Sequence, residues 1–565
     1  MSKEVASPKS VASLMQKTLD RQTVKRMKFR FKKNQVETII LDYVKAGNTV
    51  TYNELVKVLK SCPLTDENYQ ILFEDCLSCV VLLGRDSKQL VDTVCNVEWA
   101  TRSEELVELY SRFVLSLVTA HTYHCPRVMT GLVKVFKADG ENWEESPSPE
   151  KVSMWSNIHT IIAQIVAIMP MTSDLLMHTV IDQFPYYKAG CCPNRSYVHN
   201  LIWMSKYIPS LREQIMSAIV NRMVILDVNV MDHRTKDQCQ PQVETMFDMD
   251  VDEAVDEVAD TLDYCMLEML KWLEDERTPA LETLCNVFER VILPTHGIRH
   301  VQFLLLYTIS INQQCADRIL NNLWLVAAGH HGLGPGALAT RRTAVSHLAG
   351  LLARCVRVPN TRLIKYLKNM AEWCHSYITA TQESTSATDS TKIHGAFHAI
   401  CHSVFYLIGF KHHHLFSSKE NIHFVESLNL PRLVTCSLNP LRTCPPQVTR
   451  AFSSVTRAHQ VVYCQAIIEK NSRLSLHSTV EENYEEWFPY DPYTLPISGK
   501  TIWPLCIEYK DFSKDGDDET QYSGMKRKLE EDDDYLVFAT PTQKLASSLS
   551  NCISPGFKTS DNMLV

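Results

Sequence analysis

From about residue 35 to residue 470 one amphipathic helical pattern follows another with short breaks, and no apolar/polar alternation runs between Asn-Gly or Asp-Gly turns as it would in a β-hairpin. Few folds are open to such a chain. Several of its helices carry readable beginnings. Ser103 precedes Glu104 and Glu105, whose charges suit the positive end of a helix, and Leu106, Leu109, Phe113 and Leu117 then share a face. Pro149 follows Ser148 at a position where a first helical residue needs no N–H, and Val152, Trp155, Ile158, Ile162 and Ile165 make the stripe. Thr278 and Pro279 open a helix in the same way before Leu281, Leu284 and Phe288. Ser210 and Glu213 have capping-box spacing and predict a helix over 211–226.

That last helix says most about architecture. Leu211, Ile215, Ile219 and Leu226 form one stripe, yet Met216, Val220 and Val224 occupy other faces. A helix apolar around most of its circumference is buried between neighbours. At 565 residues the chain exceeds the size at which one compact core stops growing. A core extended in one dimension resolves the difficulty, and helix pairs of roughly 40 residues match the HEAT/armadillo scale. Only 17 glycines are available for tight hairpins or phosphate-cradling loops, which also favours helices. The expected fold is all-α: an irregular α-solenoid of HEAT-like helical repeats over residues 34–505, without an alignable repeat consensus.

Charge marks the ends. Residues 1–33 form a basic arm in which Lys17, Arg21, Lys25, Arg26, Lys28, Arg30, Lys32 and Lys33 face only Asp20. It reads as a solvated tail or nuclear-import signal, with Phe29 and Phe31 leaving a docking segment open. An acidic loop is expected at about 234–260, carrying Asp248, Asp250, Asp252, Glu253, Asp256, Glu257 and Asp260 and turning helical near Val255. Residues 506–565 read as an acidic, serine-rich, largely disordered tail with a basic island at Lys526, Arg527 and Lys528. A net charge of −8 argues against the whole protein being drawn to nucleic acid, so little direct DNA binding is expected. The nineteen cysteines are scattered behind no export signal, which predicts reduced thiols in an intracellular protein. Apolar runs such as 160–169 and 301–311 fall short of the ~20 residues of a membrane span.

No catalytic centre emerges. Cys76 and Cys79 have C-x-x-C spacing, but they lie within a predicted helix over 69–83 and no second pair completes a zinc set, so core packing is the reading. His412, His413 and His414, like His121, His124 and Cys125, point in different directions along their backbone. Gly332-Leu333-Gly334-Pro335-Gly336 follows no strand, and Pro335 removes a donor that a phosphate loop would use. Neither metal nor cofactor is expected, and the protein reads as a binding protein rather than an enzyme.

Five segments carry a resemblance: 197–230 (ending in Ile225-Leu226-Asp227-Val228), 341–359 (RRTAVSHLAGLLARCVRVP), 394–412 (HGAFHAICHSVFYLIGFKH), 438–448 (LNPLRTCPPQV) and 488–493 (FPYDPY). Together they resemble the RNA polymerase I-specific transcription initiation factor family over about 35–495, with Thr443 standing where the family's N-P-L-K-V-C element has valine. The resemblance implies a HEAT-like α-solenoid that binds RNA polymerase I near its stalk and recruits it to the rDNA promoter through the core promoter factor. It implies control by kinases and action in the nucleus and nucleolus, and is compatible with a homodimer of the free protein. An acidic HEAT-repeat nuclear transport receptor, or another protein-binding scaffold, is the rival reading.

Within that expectation, phosphate is expected at Ser7, Ser146, Ser148, Thr540 and Ser554, each followed by proline. The polymerase-facing surface is expected on the 211–226 helix, where Glu213, Ser217 and Asn221 fall together away from the apolar stripe, with Ser217 as a further phosphorylation candidate.

Overall fold

Leu106, Tyr110, Phe113, Val114 and Leu117 recur at helical spacing, and all five are buried in a helix, Glu104–Ala120, whose N-cap is Ser103. The same logic recurs through a computed structural model of the chain, which describes residues 31–61, 64–137, 143, 146–230, 257–295, 297–330, 337–382, 391–475, 488–490 and 492–512. Among these residues the regular structure is helical, apart from one isolated antiparallel bridge.

The chain divides into two compact units: residues 1–186 with 192–211, and residues 187–191 with 212–565. The first unit contains α1 (Gln35–Ala46), α2 (Thr49–Ser61), α3 (Asp66–Ser78), α4 (Lys88–Cys95), α5 (Glu104–Ala120), α6 (Cys125–Lys134), α7 (Pro149–Ile168), α8 (Thr172–Asp182) and most of α9 (Cys191–Tyr207). Helices α1, α3, α5 and α7 pack in sequence along one layer, and α2, α4, α6 and α8 along the other. This two-layer stacking is the geometry of HEAT-like repeats, in which each helix pair covers the apolar faces of its neighbours. Trp155 of α7 and Phe113 of α5 are fully buried between layers.

The second unit runs through α10 (Arg212–Asn229), α11 (Glu257–Glu276), α12 (Thr278–Val287), α13 (Phe303–Ile311), α14 (Gln313–Ala328), α15 (Ala337–Arg354), α16 (Asn360–Gln382) and α17 (Thr391–Phe410). Short helices α18 (His412–Leu415), α19 (Lys419–Ser427), α20 (Leu430–Thr435) and α21 (Pro440–Thr443) precede α22 (Pro446–Ala458), α23 (Gln465–Ser475) and α24 (Pro496–Ile502). Here α10, α12 and α14 pack in one row, α11 on α13 in another, and α15, α17 and α22 in a third. Ile393–Phe410 is long and apolar enough to cross a membrane by composition, contrary to the short runs seen in sequence, but 83% of it is buried. It is the central core helix, wrapped by α15, α16 and α22.

Several boundaries differ from expectation. The helix holding Cys76 stops at Ser78 instead of continuing to residue 83, and Val80–Leu82 forms a 3-10 turn. Arg277, at φ +48°, takes the N-cap position expected of Thr278, which becomes the first helical residue. Residues 209–211 are a 3-10 turn, so Ser210 lies before the α-helix that begins at Arg212. Ordered packing also outruns the expected 34–505 limits at both ends. Phe31 is buried and its N–H donates to Asn68 Oδ1 at 2.8 Å, while Ile507 N–H donates to the Arg354 carbonyl at 2.7 Å. Most of the expected acidic loop, the Gly332–Gly336 stretch, and the arm and tail residues Ser7, Lys25, Arg26, Lys28, Arg30, Lys526, Arg527, Lys528, Thr540 and Ser554 lie outside the described residues.

Candidate protein-docking face

Helix α10 is built as a two-faced element. Ile215, Met216, Ile219, Val220, Met223, Leu226 and Asp227 are buried, which leaves Gln214, Ser217, Asn221, Ile225 and Val228 as an outward row at helical spacing. Ser217 is half-buried and Asn221 exposed, and both belong to this row. Glu213 does not join them. Its carboxylate accepts from Asn286 Nδ2 at 3.1 Å and meets Arg290 Nη1 at 2.5 Å, and Asn286 Oδ1 in turn accepts from Arg318 at 2.8 Å. Glu213 therefore ties the first turn of α10 to α12 and α14 instead of reaching back to Ser210. The outward row ends in two exposed apolar side chains, Ile225 and Val228, beyond the face of Glu213, Ser217 and Asn221 expected from the sequence.

Below that row, Asp227 holds the turn that leads into α13. Its Oδ2 accepts the N–H groups of Arg299, His300 and Val301 at 3.0, 2.8 and 3.0 Å, and Oδ1 lies 2.8 Å from His300 Nδ1. His300 Nε2 reaches Thr494 Oγ1 at 2.7 Å. Thr494 belongs to a strap, residues 488–490 and 492–512, that crosses the second unit. On that strap Phe488 stacks on Tyr406 with centroids 4.2 Å apart, and Tyr490 and Tyr493 meet Phe303 edge-on. Gln302 Nε2 donates to the Pro489 carbonyl. Asp263 of α11 accepts Ile497 N–H and Ser498 N–H at 2.7 Å each, capping α24 from a distant helix. Four of the five signature segments thus meet in one core: Tyr490 lies against Gly350, His347 Nδ1 is 3.3 Å from Tyr490 OH, and His402 Nε2 is 2.8 Å from the Pro440 carbonyl. Burial, with His398 adding to it, lowers His402 to about 3, so it sits neutral in this core.

The other sequence candidates are scattered. Ser146 and Ser148 are exposed, and Ser148 is the N-cap of α7 with its Oγ accepting from Lys151 N–H at 3.4 Å. Lys32 and Lys33 are exposed beside the buried Phe31. Cys76 and Cys79 are buried, and Cys79 Sγ donates to the Asp75 carbonyl at 3.0 Å, with burial pushing its thiol up to about 12. His124 and His412 turn to the backbone carbonyls of Leu83 and Gly409. A groove of about 720 Å³ beside α4 and α6 is lined by Asp92, Tyr123, Arg127, Thr130 and Lys134, and Arg127 is already paired with Asp92.

Comparison with known proteins adds the identity of this architecture. The chain is 28% identical to RNA polymerase I-specific transcription initiation factor RRN3 of Mus musculus, over 91% of this chain and 87% of the relative. It is 23% identical to rrn3 of Schizosaccharomyces pombe over 88% of each. Among solved structures, the crystal structure of RNA polymerase I transcription initiation factor Rrn3 superposes with TM-score 0.67 at 18% identity, covering 85% of this chain and 99% of that one, a likeness of fold. The family model described as RNA polymerase I specific transcription initiation factor RRN3 matches residues 27–514, so the chain belongs to that family.

Proposed function

We propose that the chain acts as an RNA polymerase I-specific initiation factor, a non-catalytic adaptor that binds the polymerase near its stalk and brings it to the rDNA promoter through the core promoter factor. The family match across nearly the whole described chain carries this reading. It displaces the transport-receptor alternative. Action in the nucleus and nucleolus follows from the same reading, with residues 25–33 or 526–528 as import signals.

The outward row of α10 is the proposed polymerase-docking face. Ser217 and Asn221 supply polar contacts at its middle, and Ile225 and Val228 supply apolar area at its end. Phosphate on Ser217 would add about −1.5 to −2 charges to a row that carries none of its own, and the expected effect is weaker binding. Kinases reach Ser146 and Ser148 more easily, since both are exposed on a polar segment. The test is a polymerase I pull-down comparing Ser217→Glu, Asn221→Asp and Ser217→Ala, with melting temperature as control. The two acidic variants should bind less while Ser217→Ala binds normally. If all three bind like the parent protein, the docking face lies elsewhere. Affinity purification from nuclear extract that recovers a small GTPase in place of polymerase I subunits would overturn the functional reading itself.

A further inference from the structure

The strap meets the C-terminal end of α15 as a one-residue β-ladder. Val356 N–H donates to the Leu505 carbonyl at 3.0 Å, and Ile507 N–H donates to the Arg354 carbonyl at 2.7 Å. These bonds flank a pair of residues that face each other across the ladder, Cys355 and Cys506. A pair flanked in this way is of the non-hydrogen-bonded kind, in which the Cα atoms lie about 4.5 Å apart and the side chains approach closely. A disulfide spans Cα separations of about 4.4–6.8 Å. The backbone therefore already has the spacing that a disulfide between these two residues needs.

The surroundings fit the chemistry. Both thiols are free, Cys355 buried and Cys506 partly exposed, so one end of the pair is within reach of a small oxidant. Arg354 donates to the Ile507 carbonyl at 2.9 Å, and its positive charge favours the Cys506 thiolate. Burial outweighs that charge and pushes the Cys506 thiol up to about 12. The thiolate is the reactive form, so oxidation is slow and begins at the partly exposed Cys506 while the bridge keeps Cys355 opposite it.

We propose that Cys355 and Cys506 are an oxidative modification site, converted by hydrogen peroxide into a disulfide that fastens the strap to the end of α15. The Cys506 thiolate attacks one peroxide oxygen, the O–O bond breaks, and the departing hydroxide takes a proton to become water. Cys506 is then a sulfenic acid. The Cys355 thiol gives its proton to solvent and attacks the Cys506 sulfur. The S–S bond forms, the S–O bond breaks, and the hydroxyl leaves as a second water. Two thiols and one peroxide give one disulfide and two waters, with two electrons passing from sulfur to oxygen. Once closed, the bond holds Tyr490, Tyr493 and α24 in place against opening of the strap.

The experiment uses the full chain, fully reduced and then exposed to hydrogen peroxide. Remaining thiols are alkylated, the protein is digested without reductant, and peptides are read by mass spectrometry. A Cys355–Cys506 cross-linked peptide should form, disappear with dithiothreitol, and be absent from Cys506→Ser and Cys355→Ala. Cys506→Ser guards against a folding artefact because its side chain is the partly exposed one. Hydrogen exchange across residues 496–507 should slow by about tenfold or more on oxidation of the parent protein and stay unchanged in Cys506→Ser. The proposal is overturned if peroxide oxidises Cys191 or Cys436, the other partly exposed thiols among the described residues, while Cys355 and Cys506 are recovered alkylated. Recovery of Cys506 as a sulfinic acid beside a free Cys355 overturns it equally.

Discussion

Replacing Asp227 with alanine should loosen the turn into α13 together with the strap. One oxygen of this carboxylate accepts three consecutive backbone N–H groups, and the other holds the ring of His300, which grips Thr494. Arg299 is exposed and its N–H can turn to water, whereas His300 and Val301 are buried. Alanine therefore leaves two buried N–H groups without their acceptor, at about 1–3 kcal/mol each. Bonds to a charged acceptor lie at the upper end of that range, which makes about 4 kcal/mol a fair sum. Every 1.4 kcal/mol is about tenfold in an equilibrium, so local opening should rise roughly a thousandfold. Native-state hydrogen exchange read by mass spectrometry on peptides covering 298–311 and 493–502 measures this opening. Asp227→Asn keeps a carbonyl for the three N–H groups and should accelerate exchange only about five- to thirtyfold, a loss of about 1–2 kcal/mol. The reasoning fails if Asp227→Ala exchanges within about threefold of the parent. It also fails if asparagine is as damaging as alanine, because the backbone bonds would then not be what holds the turn.

The remaining expectations concern the same core and the two ends of the chain. At Gly350 an added Cβ would lie 2.6 Å from Tyr490 Cδ2, so Gly350→Ala should cost about 1–3 kcal/mol, and Tyr490→Leu should recover part of the lost urea midpoint if the clash is the cause. Burial lowers His159 and His402 to about 3 and His398 to about 4, so the unfolded chain takes up these protons first. Stability is then full above about pH 6.5 and is lost as pH falls toward the folded values, by about 1.4 kcal/mol per histidine at about pH 5.5. A urea midpoint that is unchanged between about pH 7.5 and pH 5.5 would contradict this. A chain spanning 31–512 should keep the parent melting temperature while one spanning 34–505 melts lower, since the shorter chain loses the buried Phe31, worth about 1.5–3 kcal/mol, and the Ile507 bonds to Arg354. Equal melting temperatures would show that neither end is held by the packed units.

What could be read in the sequence was local. A stripe at 3.6-residue spacing is a property of neighbouring residues, and so are Ser103 before Glu104 and Ser148 before Pro149, which is why these helices start where they were expected to. The five signature segments pointed to the family through the residue types they carry, yet nothing in them disclosed that four would converge on one core. That convergence depends on contacts far apart in the chain: His347 reaches Tyr490 across 143 positions, and Asp263 reaches Ser498 across 235. In a one-dimensional reading, Asp227 and Asp263 look like any other acids near an acidic run. Only the fold shows them buried and accepting backbone N–H groups. Glu213 has the spacing of a capping box, but Asn286 and Arg290 compete for its carboxylate, and tertiary packing decided that competition. The cysteines divide in the same way. Composition predicted reduced thiols, whereas the pairing of Cys355 with Cys506 arises only when the strap folds back over α15. Helical periodicity is short-ranged and so is written in adjacent residues, while burial and long-range hydrogen bonding come into being only when distant segments meet.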